Sequence, residues 1–164
     1  MTAHMRALLE QIDAAKLSTQ WRRPGAALDS LIQLVLRLQT FDDTTHRPKG
    51  VELIAALRGR EQATDALIGR LEVDCQQRDN MLHQALAQLR LLQHGQQGAA
   101  TQAEHFLEQY GAMLRSDLDI EDSALHADST KLLSPEQWSA VASSVSTVIT
   151  TDRRRKPSPE GSSD

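Results

Sequence analysis

Two carboxylates stand on what should be the buried face of a helix. From Phe106 the stripe reads Phe106, Tyr110, Met113, Asp117, Glu121 and Ala124. Steps of three or four residues line one side of an α-helix, so both acids are predicted to point inward. A second stripe repeats the pattern: Leu67, Leu71, Cys75, Asp79, Leu82, Leu86 and Leu89. There a thiol and a carboxylate interrupt the apolar row. Oxygen and sulfur donors on facing helices can hold a divalent cation. Buried carboxylates can instead pair with buried cations, because leaving them uncompensated costs on the order of several kcal/mol. Arg47 and Arg78 are the nearest sources of positive charge for that second arrangement. Cys75 has a third reading, since a free cysteine packs as a small hydrophobe.

The elements that must position these groups are helical. The first is predicted over Thr2 to Lys16, with Met5, Leu8, Leu9 and Ile12 on one side. Leu17 to Gly25 reads as a connection, with Pro24 suited to the first turn of the next helix. Leu28, Leu31, Ile32, Val35 and Leu38 then follow a helical template that ends near Phe41. A corner is expected at Thr44–Gly50, on account of Pro48 and Gly50. Beyond it come a short helix from Val51 to about Arg60, a long one over roughly Ala63–Gln93, and a loop over His94–Gly98. A fourth long helix runs from about Ala99 into the 120s. Ser134-Pro135-Glu136-Gln137 has the chemistry of a helix start, with Ser as N-cap and Gln three residues on. Trp138, Val141 and Val145 give that last helix an apolar side. No strand pattern or internal repeat is found. The expected architecture is all-α, an antiparallel up-down four-helix bundle over residues 1–150 with an additional short C-terminal helix. Residues 151–164 read as a disordered tail.

Composition narrows the function classes. Aromatic residues make up only 3% of the 164, so the core must be Leu, Ala, Val and Ile. A net charge of −4 argues against nucleic-acid binding. The only basic cluster, Arg153–Lys156, lies in the tail. A single cysteine permits no intrachain disulfide and suits a reducing, cytoplasmic compartment. No apolar run approaches the length of a membrane span. Nucleophile triads, phosphate loops and Cys-x-x-Cys motifs are absent, so an enzyme is not expected. His83, His94, His105 and His126 form no spaced pair with a carboxylate and read as surface residues.

The run THRPKGVELIAALRGREQATDALIGRLEVDC, Thr45 to Cys75, resembles the bacterial hemerythrin-like (HHE cation-binding) family. That family's text is close to FHHPKEDLLF-LR-R-P-ALI--LE-EH and aligns without a gap. Downstream, DLDIEDSALHADSTKLLSPEQW is similar to a typical HM--EE--LFP-A---LTPEDW. The resemblance implies a bundle whose inward His and carboxylate side chains hold two iron atoms, with roles in oxygen, nitric-oxide or iron sensing or storage. It also places the ligand positions. His4 falls on the first-helix histidine. His46 falls on a ligand histidine whose glutamate partner is here Gly50, and the second corner histidine is here Arg47. The third-helix histidine is here Cys75, followed one turn later by Asp79. The fourth-helix histidine is here Asp117, and its glutamate survives as Glu121.

The scaffold text persists where the ligand text has changed. His-to-Asp and His-to-Cys exchanges alter charge, reach and softness together. The expectation is therefore a hemerythrin-like domain with a degenerate metal site and no cofactor, working as a non-catalytic regulatory or interaction module with a protein partner. The alternative is a carboxylate-rich site for iron, as a di-iron centre, or for another divalent metal. It would use His46, Asp79, Asp117 and Glu121, with Cys75 and His4 as further donors.

Overall fold

The computed structural model describes residues 2–141. The tail after Thr151, Val145 and the Arg153–Lys156 cluster lie outside the described residues. Helix α1 (Thr2–Leu17) buries Met5, Leu8, Leu9 and Ile12, the side its periodicity predicts. The connection after it holds an anchor that sequence reasoning passed over. A single 3₁₀ turn, Gln20–Arg22, carries Trp21 into full burial. Its indole N–H donates to the Lys16 carbonyl at 3.2 Å, so the ring is buried with its polar atom satisfied. Arg22 stacks over that ring at 5.0 Å and pairs with Glu104.

Helix α2 (Ala26–Phe41) begins after Gly25, two residues beyond Pro24, and buries Leu28, Leu31, Ile32, Val35 and Leu38. It does not stop before a corner. A π-helical segment, Asp42–His46, joins it directly to α3 (Arg47–Leu57), so the expected Thr44–Gly50 corner is helix. The reason is local. A proline inside an α-helix lacks an N–H and its ring collides with the carbonyl four residues back. The wider π turn, in which the Arg47 N–H donates to the Asp42 carbonyl, reshapes the backbone just before Pro48. Gly50 sits in ordinary helix with open space around it. The real break comes at Gly59, whose φ of +81° ends the rod.

Helix α4 (Gln62–Gln93) returns as one continuous element. After a turn containing Gly95 (φ +91°), α5 (Ala99–Ile120) passes through a second π segment, Glu121–Leu125, into α6 (His126–Leu132). The fourth helical path thus extends well past the predicted end. The Ser134 start forms as expected: the Gln137 N–H donates to Ser134 Oγ at 3.2 Å, and the Ser134 N–H to Gln137 Oε1 at 3.0 Å. Residues 135–141 are helical.

All regular structure among the described residues is helical. No helix is long and apolar enough to cross a membrane. Helix α1 packs on α2 and α5, α4 on α5 and α2, and α3 on α4 and α6. Two apolar clusters result. The larger is built from α1, Trp21, α2, the second half of α4 and α5 from Ala99 to Leu118. The smaller gathers Leu57, Ile68, Leu71, Leu125 and Leu133 at the opposite end. Between the clusters, along the chain of each long rod, lie the two π segments and the charged residues.

Candidate functional site

Helical spacing places Asp42 and His46 one turn apart on the same face of the first π segment. Both are buried, at 3% and 8% exposure. His46 Nδ1 meets Asp42 Oδ1 at 2.6 Å. Its Nε2 meets Glu121 Oε2, on the second π segment, at 2.7 Å. Arg47 closes a second bridge. Its Nε donates to the other Asp42 oxygen at 3.0 Å, and its Nη1 to Asp79 Oδ2 on α4 at 2.9 Å. The other arm of the guanidinium pairs with Asp79 Oδ1. Deeper still, Arg78 of α4 and Asp117 of α5 face each other with Nε and Oδ2 3.2 Å apart. Their side chains are 5% and 1% exposed. The pair attracts by charge without aligned hydrogen bonds. Neither Asp117 oxygen, nor Arg78 Nε and Nη1, nor the buried Tyr110 hydroxyl has a hydrogen-bond partner.

Five carboxylates (Asp42, Asp43, Asp79, Asp117, Glu121) therefore face three cations (His46, Arg47, Arg78). Burial alone would pull the His46 imidazolium down. The carboxylates bonded to both ring nitrogens outweigh it and raise the pKa to about 9. At neutral pH the ring carries two protons and donates from both nitrogens, leaving no lone pair for a metal or a substrate proton. Burial likewise pushes Asp42 up, but His46, Arg47 and Arg78 prevail and hold it below the usual carboxylate value. Asp117 goes the other way. Burial and the neighbouring Asp74 carboxyl raise it, against the pull of Arg78. Burial also raises the Tyr110 hydroxyl, reinforced by the Asp42 charge.

The predicted residues meet different fates. His46 and Glu121 touch. Asp117 is buried as the α5 stripe indicates, with Leu114 and Leu118 buried beside it. Asp79 is a correction: it is half exposed on the flank of α4, and Arg78 takes the inward place. The stripe leaves Cys75 by a step of three rather than four, because the guanidinium finds a buried carboxylate there and Asp79 finds Arg47 at the edge. Cys75 is half-buried, and burial raises its thiol despite Arg47 and Arg78. His4 is exposed and packs edge-on against Phe41, with ring centroids 4.4 Å apart. Sequence reasoning missed Asp42, which it placed beyond the end of α2. The signal was present as an Asp–His pair four residues apart, visible only if helix is read through the corner.

Among the described residues, no three His, Cys, Asp or Glu side chains gather closely enough to hold a metal ion. What the arrangement does is tie four elements together through charge: the first π segment, α3, α4 and the α5 rod. No protein-family model matches the chain, and no curated protein or solved structure matches it either.

Proposed function

We propose that this chain is an antiparallel, up-down four-helix bundle resembling the hemerythrin-like family, in which a buried ion-pair layer stands where that family holds iron. It serves as a non-catalytic regulatory or interaction module for a protein partner, and its one thiol, Cys75, suits a reducing cytoplasm. The observation that carries the reading is the seating of Arg47 and doubly bonded His46 at the corner positions. A guanidinium supplies there the positive charge that a metal would supply, and it accepts no coordination bond. The donor set fits a di-iron centre poorly, since its one buried imidazole has both nitrogens engaged.

A second reading keeps a divalent cation, in oxygen, nitric-oxide or iron sensing or storage. It rests on one observation: Asp117 holds both carboxylate oxygens buried and without hydrogen bonds. Metal analysis of protein purified without chelator, combined with melts, separates the two. The ion-pair reading predicts no stoichiometric metal and superimposable melts with and without chelator. A midpoint that drops under chelator and returns with iron or manganese establishes the second.

A further inference from the structure

The buried polar side chains fall into two groups. In the first, every group is bonded within the protein. Thr64 donates to Asp128 at 2.9 Å, Ser129 donates to the Leu125 carbonyl at 2.6 Å, and Asp42 and His46 meet at 2.6 Å. The second group is Tyr110, Asp117 and Arg78. The Tyr110 hydroxyl, both Asp117 oxygens, Arg78 Nε and Arg78 Nη1 have no hydrogen-bond partner among the described residues. Their burial is as deep as any: Tyr110 is 3% exposed, and the side chains of Arg78 and Asp117 are 5% and 1% exposed. These atoms are not scattered. Tyr110 and Asp117 lie about two helical turns apart on the buried side of α5. Arg78 Nε stands 3.2 Å from Asp117 Oδ2, where α4 packs on α5. Besides burial, the charges of Asp42 and Arg78 act on the Tyr110 hydroxyl, so it faces the same charged layer.

Buried donors and acceptors in folded proteins are almost always bonded, to protein or to ordered water. The charge pattern here selects the occupant. An anion drawn to Arg78 and the Tyr110 O–H would meet the Asp117 carboxylate. A cation drawn to Asp117 would meet the guanidinium 3.2 Å away. The cluster offers carboxylate oxygens that accept, guanidinium nitrogens that donate, and a hydroxyl that does either. Its complement is small, neutral, and both donor and acceptor. We propose that Tyr110, Arg78 and Asp117 form an internal water site that bridges α4 to α5. It holds about two molecules, since a buried water makes about three hydrogen bonds. Asp74, one turn before Arg78 on α4 and with its side chain 19% exposed, adds its carboxyl to the surroundings of Asp117 and gives the site a polar edge toward solvent. The inference rests on the ion-pair reading, because a cation at Asp117 would occupy the same lone pairs.

The test counts long-lived internal waters in the full chain by magnetic relaxation dispersion of labelled water oxygen, with elemental analysis of the same sample. The wild type is compared with the triple variant Tyr110→Phe, Arg78→Met, Asp117→Leu, which removes every orphaned atom at similar volume. The wild type should hold about two more long-lived waters per chain than the variant. Waters elsewhere in the molecule cancel in that difference. Equal counts in the two proteins overturn the proposal. If the triple variant fails to fold, the Arg78 Nε–H resonance of the wild type decides. A cross-relaxation peak from it to a long-lived water supports the site, and the lack of one sinks it. Stoichiometric metal in the sample removes this inference together with the ion-pair reading. Metal-free protein with no long-lived water at the cluster removes this inference alone.

Discussion

Trp21 and His46 are buried to similar depth, yet they hold the molecule by opposite means. Trp21 and the buried leucines of its cluster, among them Leu28, Leu31, Leu38 and Leu89, exclude water through apolar packing, and the indole donates one hydrogen bond. Such stabilisation scales with area and is indifferent to pH. In the charged layer each group is stable only because another is present. His46 needs Asp42 and Glu121, Arg47 needs Asp42 and Asp79, and Asp117 needs Arg78. Removing one partner there leaves a buried charge, while removing both need cost little. The difference teaches where specificity and where strength reside. The apolar end supplies stability, and the charged layer fixes which helices meet at the middle.

The largest effect belongs to the apolar end. Trp21→Ala should cost about 3–5 kcal/mol, with a loss of midpoint that is the same at pH 5 and pH 8. A loss that varies with pH would place Trp21 under the control of the charged layer and break the comparison. In that layer, Arg78→Met should cost about 3 kcal/mol, since Asp117 can partly relieve its isolation by taking up a proton. The paired change Arg78→Met with Asp117→Leu should recover most of it. Equal losses in the single and double variants, measured by denaturant unfolding, would refute the ion-pair account.

The pH dependence comes next in size. The folded pKa of His46, about 9, lies above its ordinary 6.5. Its contribution is therefore complete below pH 6.5 and lost as pH rises through 9. The raised carboxyl of Asp117 acts in the same direction, losing stability as it ionises on the way up. Asp42, held low, contributes above its ordinary value of 3.8 and loses that contribution as pH falls through its folded pKa. Between pH 6 and 8 the His46 part alone should remove about 2 kcal/mol. His46→Gln should flatten the stability profile over that window. A wild-type profile that rises from pH 6 to 8 has the wrong sign for this clamp. The smallest effect is at the rim of the lesser cluster. Trp138 is only partly buried there, so Trp138→Ala should cost about 1 kcal/mol in a urea titration, well below the Trp21 value.

Much of this molecule was legible before any coordinates. The stripe Leu28, Leu31, Ile32, Val35, Leu38 specifies α2 and its buried face, because apolar residues at helical steps have one way to leave water. The Ser134 cap and the burial of Asp117 could be read in the same manner, from local hydrogen bonding and from periodicity. Three things could not. Pro48 and Gly50 signal a break, and only the widened turn at Asp42–His46 shows how a helix passes through. The choice of Arg78 over Asp79 as the inward residue is invisible in α4 alone. Both steps are helical, and the decision rests with Asp117 on α5 and Arg47 on α3. Trp21 lies outside any periodic stripe, so its burial follows from where α1 and α2 leave a space. Local spacing determines which residues form helices and roughly which side is apolar. Which charged groups end up inside is decided by pairing across helices, and a partner distant in the chain leaves no local trace.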